Sequence, residues 1–124
     1  VCQVSTTIYN AALMSGLIID EVHNHSLPSR YAPRGRDATV SYGYTDLKFS
    51  NPFNHPIYIK NIVGKGAITS KIYGCEMDRE KIIIRMEEEY TKNKITVKTY
   101  RLYLDEENNI MRKELVNTSI YKHH

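Results

Sequence analysis

The strand pattern of the chain is clearest in Lys94–Leu104 (KITVKTYRLYL), Asp105–Asn109 (DEENN) and Ile110–Ile120 (IMRKELVNTSI). β-branched and aromatic residues recur in both flanking segments, and the residues between them are all polar, as is typical of two strands joined by a turn. A connection this short forces the two strands to pair antiparallel. We therefore expect a hairpin near the C-terminal end of the chain.

More strands are predicted upstream, most of them separated by short turns. They are Leu17–Val22, Ala38–Tyr42, Asp46–Phe49, Pro56–Ile62, Ala67–Tyr73 and Lys81–Glu88. One helix is predicted from Ser5 to Gly16, with Ser5 or Thr6 as its cap and Gly16 just past its end. Together these elements predict an α+β fold in which one N-terminal helix packs on a mostly antiparallel, strand-rich sheet.

Composition excludes several classes of protein. The chain has 124 residues, the size of one domain. Its net charge of +3, from 17 basic and 14 acidic residues, is too weak to indicate nucleic-acid binding. No apolar run reaches the roughly 18 residues that a membrane span needs. There is no phosphate-binding glycine loop, and we expect no cofactor.

Cys2 is the first residue that could carry chemistry. It lies just before the predicted helix or in its first turn, where free N–H groups and the helix dipole stabilise a thiolate. Those same N–H groups can also hold an oxyanion. Gln3, beside it, could donate a hydrogen bond to a substrate. The alternative is that Cys2 is a small apolar residue buried in the core.

A loop of about fourteen residues, from His23 to Asp37, holds the other candidates. Loops of this length inside a small domain are usually functional or disordered. A cysteine nucleophile needs a base, for which His25 is the candidate, and Asp37 could hold the imidazole in one tautomer. Solvated loop histidines are the alternative interpretation. Arg36 could bind a substrate carboxylate, or it could pair with an acidic neighbour.

A metal site and a disulfide are the rival uses of these residue types. Cys2, His23, His25 and Asp37 are all possible zinc ligands, but they lack the paired spacing of a structural site, and we expect no metal. Cys75 could form a disulfide with Cys2 on count alone, although a free structural thiol is the prediction. His55, in a turn, is expected to be exposed.

Three blocks of sequence, in this order and spacing, resemble the VanW domain family. They are Val1–Ala12 (VCQVSTTIYNAA); Asn24–Pro28 with Tyr31 and Gly35–Val40; and Asp46–Asn51 with Pro56–Ile59. The resemblance implies that residues 1–74 form a VanW-like core carrying the Cys, His and Asp. Residues 75–122 are then a strand-rich extension of the same domain. His123 and His124 are expected to be a tag remnant.

The resemblance also implies an activity. The family occurs in bacterial cell-envelope proteins and includes members assigned as peptidoglycan L,D-transpeptidases, which form 3-3 crosslinks through a cysteine acyl-enzyme. Cys2, His25 and Asp37 match the family's cysteine, histidine and aspartate. Gln3, Ser26, Tyr31 and Arg36 are the candidates for binding peptidoglycan stem peptides, and no nucleic-acid partner is expected.

Location and reaction type follow from the family alone. A membrane-anchored parent would place the domain on the extracellular face of the cell envelope. A glycine-rich segment usually precedes the family's cysteine, so we expect this chain to be a fragment whose upstream residues complete the oxyanion hole. A cysteine peptidase or carboxypeptidase acting on the same stems, or a non-catalytic wall-binding module, are the alternatives. The oligomeric state stays open.

Overall fold

The computed structural model describes residues 2–123. This part of the chain contains α1 (Cys2–Met14), β1 (Ile18–Glu21), β2 (Lys48–Ser50), β3 (Tyr58–Gly64), β4 (Ala67–Tyr73), a 3₁₀ turn (Glu76–Asp78), β5 (Lys81–Tyr90), β6 (Lys94–Leu104) and β7 (Ile110–Lys122). Val1, which opens the first family-like block, and His124, part of the expected tag remnant, lie outside the described residues.

The described strands form three separate antiparallel sheets. β1 pairs with β2, β3 pairs with β4, and β5, β6 and β7 form a three-stranded sheet in that order. The predicted α+β fold with one helix on a single strand-rich sheet is therefore wrong. The irregular segments 51–57 and 74–80 separate neighbouring sheets along the chain. The fold is mostly antiparallel β with one short N-terminal helix.

Helix α1 begins earlier than predicted and ends where predicted. It starts at Cys2, and Ser5 and Thr6 do not cap it. Their hydroxyls instead face the interior and donate to the carbonyl of Ala38, at 2.7 and 3.2 Å. Gly16 has φ +81°, and the N–H of Leu17 lies 3.2 Å from the carbonyl of Ala12. This pattern is a Schellman C-cap, which closes the helix.

Residues 22–47 form one long connection without a strand. The predicted strand Ala38–Tyr42 is absent, and a single bridge between Ser41 and Thr45 replaces it. The reason is a tertiary contact: the N–H of Ala38 donates to the hydroxyl of Thr6 at 3.0 Å, so the helix occupies a group that a ladder would need.

The three-stranded sheet supplies much of the core. Alternate residues of the central strand β6 face inward, and Ile95, Val97 and Thr99 are buried among them. Another cluster forms where Tyr9 and Leu13 of α1 meet Ala38. Val116 of β7, with further partly buried apolar residues, packs against this second cluster, so it joins the helix to the sheet.

A buried arginine reinforces that connection. Arg101 of β6 is 2% exposed and donates to the carbonyls of Leu13 and Leu17 at the end of α1, at 3.3 and 2.7 Å. Its other face makes an ion pair with Glu114 of β7, with Nε 3.0 Å from Oε1. A cation at the C-terminal end of a helix is also favoured by the helix dipole.

Within residues 2–123, no helix has the length and apolar character that crossing a membrane would require.

Candidate functional site

The site is built around Asp37, a buried carboxylate in the long connection. Its side chain is 1% exposed. A carboxylate this deep needs several hydrogen bonds, because burial of an unpaired charge is costly. Both of its oxygens are occupied: His25 donates to one and the hydroxyl of Tyr121 donates to the other.

His25 is held by Asp37 at two points. Its backbone N–H and its ring Nδ1 both lie 2.7 Å from Asp37 Oδ2. A parallel contact, from the N–H of Thr39 to the carbonyl of His23 at 2.8 Å, keeps the two loop segments side by side. When Nδ1 donates to the carboxylate, Nε2 is left as an acceptor. The imidazole side chain is 27% exposed, so solvent or a ligand can reach it.

Tyr121 of β7 is a site residue that the sequence did not indicate. Its hydroxyl donates to Asp37 and accepts from the N–H of Gly35 at 2.8 Å. Burial raises the pKa of Tyr121, and the hydrogen bond to Asp37 raises it further. The phenol therefore stays protonated and remains a donor. No sequence signal separates it from the other nine tyrosines.

Cys2 lies in the first turn of α1 and is half-buried. Its Sγ lies 3.8 Å from the carbonyl of Val40, three residues after Asp37 in the chain. Within the described residues, no hydrogen bond joins the thiol to His25. The structure therefore brings Cys2 to the same connection as the His25–Asp37 pair, but the thiol and the imidazole are not hydrogen-bonded to each other.

Tyr31 occupies the free side of the imidazole. Its hydroxyl lies 3.1 Å from His25 Nε2, and the two rings meet edge to face with centroids 5.9 Å apart. Loss of solvent raises the pKa of Tyr31, and the charge of an ionised Cys2 raises it next. Tyr31 is thus within electrostatic reach of the thiol as well as in contact with the imidazole.

Arg36 borders a groove beside the helix. Its Nε donates to the amide oxygen of Asn10, and the Nδ2 of Asn10 returns a bond to the carbonyl of Arg36 at 2.8 Å. Burial lowers the pKa of Arg36, and the charge of Tyr9 opposes that shift. The groove has a volume of about 410 Å³ and is bordered by α1, by Tyr31 and by Ile68–Ser70 of β4.

Gln3 and Ser26, the other two predicted substrate contacts, are exposed. Only their backbones are engaged within the described chain. The carbonyl of Gln3 accepts from the hydroxyl of Thr7 at 2.7 Å, and the carbonyl of Ser26 accepts from the N–H of Lys122 at 2.8 Å. Their side chains are free to meet a ligand.

The predicted zinc alternative is not assembled among the described residues. His23 turns away from Asp37 and pairs with Glu21, with Nε2 2.8 Å from Oε2. Arg34 likewise avoids Asp37 and pairs with Glu88, at 3.2 Å. Glu21 is therefore paired with His23, and Asp37 is paired with His25.

Both cysteines are free thiols, so the possible disulfide between Cys2 and Cys75 is absent. The prediction that Cys75 is a free thiol is confirmed. His55 is 41% exposed, as expected for a turn, but its Nδ1 also lies 3.0 Å from Asp78 Oδ2.

Comparison with known proteins finds a relative that matches about three-fifths of the chain. Over 77 residues it is 39% identical to a Bacillus subtilis (strain 168) protein described as the uncharacterized protein YoaR. The match covers 62% of this chain and 25% of that relative. No solved structure matches the chain significantly.

A family profile identifies the family of the chain. Residues 1–73 match the profile described as VanW like protein. They include Cys2, His25 and Asp37, whereas Tyr121 lies outside the match. Since that match covers more than half of the sequence, the chain belongs to the VanW family.

Proposed function

We propose that this chain is the catalytic domain of a peptidoglycan L,D-transpeptidase, with Cys2 as nucleophile, His25 as base and Asp37 as the group that orients the base. One observation carries the proposal. A buried carboxylate fixes Nδ1 of a partly exposed imidazole, in the same connection that contacts a cysteine at a helix N-terminus. Cysteine acyl-transfer enzymes need this combination of groups.

The family sets the biological context. The VanW family is loosely associated with cell-wall metabolism, so the chain is a cell-wall-related protein at that coarse level. We propose further that the parent protein is membrane-anchored and presents this domain on the extracellular face of the envelope. Its partners there would be peptidoglycan stem peptides.

Asp37 and His25 would act as an orienting pair. Asp37 is acceptor to both the backbone N–H and the ring Nδ1 of His25, so the ring is held with Nε2 pointing away from the carboxylate. In that tautomer Nε2 can take a proton from a thiol and later return it. The hydroxyl of Tyr31 is hydrogen-bonded to Nε2 in this structure. It must move before the imidazole can contact Cys2 or a substrate.

Acylation would begin at Cys2. After His25 takes the thiol proton, the sulfur attacks the carbonyl carbon of the third residue of a donor tetrapeptide stem. The bond to the terminal D-Ala breaks, and His25 gives the proton to the departing amine. The thioester remains on Cys2. The first N–H groups of α1 lack partners within the helix, and they are suited to stabilise the oxyanion.

Transfer would then complete the cycle. The side-chain amine of a second stem attacks the thioester carbon, its proton passes to His25, and the bond to sulfur breaks to release the thiolate. Water in place of the amine would make the enzyme a carboxypeptidase. The groove beside α1, with Tyr31 and Arg36 on its border, is the space we assign to a stem, and Arg36 could pair with a carboxylate.

The deciding experiment incubates the chain, and the longer parent protein beside it, with a disaccharide-tetrapeptide. Products are read by mass spectrometry. We expect a crosslinked dimer lacking one D-Ala, and none with Cys2→Ala. Tripeptide alone would move the assignment to a carboxypeptidase. No product from either protein would overturn both enzymatic assignments and leave a wall-binding module.

Two histidine variants separate the proposed base from a neighbour. His25→Ala should abolish most turnover, since a general base contributes on the order of 100- to 10,000-fold. His23→Ala should retain turnover, because His23 pairs with Glu21 away from Asp37. Alkylation of Cys2 by iodoacetamide should slow in His25→Ala and not in His23→Ala. Equal rates in the two variants would exclude His25 as the base.

A further inference from the structure

A second cluster of reactive side chains lies away from Cys2. His55, Cys75 and Asp78 each offer one ligand atom, and these three atoms lie within 4.8 Å of one another. None of the three belongs to the proposed catalytic group. All three are partly buried, and Cys75 is a free thiol.

We propose that His55, Cys75 and Asp78 form a zinc site with a fourth coordination position open to the adjacent cavity. The inference is independent of the proposed transpeptidase activity. Thiolate, imidazole and carboxylate are all ligands of Zn²⁺, and three protein ligands with one open position are the arrangement found in catalytic zinc sites. The two anionic ligands would also balance the charge of the ion.

The distances suit a tetrahedral ion after small adjustments. Zinc bonds of about 2.0–2.3 Å place neighbouring ligand atoms about 3.3–3.8 Å apart. His55 Nδ1 and Asp78 Oδ2 are now 3.0 Å apart, and the cluster spans at most 4.8 Å. The pair at 3.0 Å would open slightly when an ion binds between the three atoms.

The backbone around the cluster is already ordered for binding. The N–H of Asp78 donates to the carbonyl of Cys75 at 3.0 Å, in the first turn of the 3₁₀ segment, which fixes the spacing of these two ligands. Asn51 donates to the carbonyl of His55 at 2.8 Å and accepts from the N–H of Phe53 at 2.9 Å. Two hydrogen-bonded turns therefore present the ligands to each other.

The open position has space for a ligand. Cys75 and Asp78 line a cavity of about 990 Å³ that lies between the end of α1, β4 and the start of β5. Its rim carries Glu76 and Glu80 as well as Arg79 and Lys81. The fourth ligand would be water or a carboxylate. Arg79 or Lys81 could form an ion pair with such a carboxylate.

The test uses Co²⁺ as a spectroscopic probe and Zn²⁺ as its competitor. All proteins carry His123→Ala and His124→Ala, so that the terminal histidines cannot bind metal. We expect a thiolate-to-cobalt charge-transfer band at a 1:1 ratio, bleached by Zn²⁺. Zinc binding should also release a proton from the thiol, measured in weak buffer.

The variants locate the metal. Cys75→Ser should lose the charge-transfer band, and Cys2→Ser should keep it. Asp78→Asn and His55→Gln should weaken zinc binding on the order of 10- to 100-fold while circular dichroism shows an intact fold. A band that depends on Cys2 would overturn the proposal. The lack of any band would also overturn it. So would equal zinc affinity in Asp78→Asn and in the chain that keeps Asp78.

Discussion

Each oxygen of the Asp37 carboxylate has its own donor, and the two donors come from distant parts of the chain. His25 binds one oxygen and Tyr121 binds the other. Tyr121 does not border the groove beside α1, so we treat it as a positioning residue for the His25–Asp37 pair. It can affect turnover only through the orientation and ionisation of that pair.

Tyr121→Phe tests this role. A hydrogen bond to a charged group contributes about 1.5–3 kcal/mol, and 1.4 kcal/mol is a factor of ten in rate. In the proposed transpeptidase reaction, we expect kcat to fall about tenfold or more while KM stays unchanged. Tyr44 is 88% exposed, so Tyr44→Phe should have the same kcat and KM as the unsubstituted chain. A loss confined to KM would contradict a positioning role.

The pairing of His25 with Asp37 could be predicted from the sequence, because it depends on residue type and on closeness along the chain. His25 and Asp37 are twelve residues apart in one loop, and the structure joins them at 2.7 Å. Their catalytic roles, like that of Cys2, stay predictions. Tyr121 could not be predicted, since it lies 84 residues from Asp37 and only the packing of β7 brings it there.

At the scale of elements, local pattern predicted the hairpins and the end of α1 but not the path of the long connection. Hairpin turns and a Schellman glycine act over a few residues. Ala38–Tyr42 has a strand-like composition, yet the hydroxyls of Ser5 and Thr6 bind its first peptide groups. Such competition between a side chain and a strand partner depends on tertiary contacts, which a periodicity does not reveal.

Gly35 is where that connection crosses β6 most closely. Its φ is +88°, and an added Cβ would lie 2.7 Å from both Thr99 Oγ1 and Val97 Cγ1. Gly35→Ala should therefore combine backbone strain with overpacking, costing about 1–2 and 1–3 kcal/mol respectively. Gly43 has φ +80° but nothing near its Cβ position.

Gly43→Ala is the matched control because it carries the backbone strain alone. We expect Gly35→Ala to lose more free energy of unfolding than Gly43→Ala, by about 1–3 kcal/mol in urea denaturation. The same substitution should lower turnover, since Gly35 also donates to Tyr121. Equal destabilisation of the two variants would mean that the crossing is looser than described.

The ion pair between β6 and β7 predicts a pH dependence of stability. Burial alone would raise the pKa of Glu114, but hydrogen bonds from Arg101 and Tyr103 outweigh it, and that pKa lies below its ordinary value of 4.5. A lowered pKa in the folded state gives stability that is complete above about pH 4.5 and is lost as the pH falls through the folded value.

Glu114→Gln removes this titration. We expect the variant to be less stable than the unsubstituted chain at pH 7. Between pH 4.5 and pH 3, the variant should lose less stability than the unsubstituted chain does. Thermal unfolding across that range measures both effects. Glu106→Gln, an exposed position without an ion-pair partner in the described chain, should follow the parent curve. Parallel curves of thermal stability against pH for Glu114→Gln and the unsubstituted chain would contradict a lowered pKa of Glu114.

At the scale of the whole molecule, the family match and the physical unit have different extents. The match ends at residue 73, but the site it contains depends on later strands. Tyr121 binds Asp37, Arg101 binds the end of α1, and Val116 packs against the core cluster of the helix. Sequence reasoning could propose that residues 75–122 belong to the same domain, but the contacts that unite the two parts are visible only in the fold.

These contacts predict that residues 1–74 do not fold alone. The shortened chain would leave Asp37 without its tyrosine donor and would remove Ile84 and Val116 from the cluster of Tyr9, Leu13 and Ala38. A chain of this size buries too little surface to tolerate such losses. Far-ultraviolet circular dichroism should show a cooperative thermal transition for residues 1–124 and none for residues 1–74. Co-expressed residues 75–124 should restore the transition. A cooperative transition in the short chain, near the midpoint of the full one, would show instead that the family-matched segment is an independent domain and that Tyr121 is dispensable to its fold.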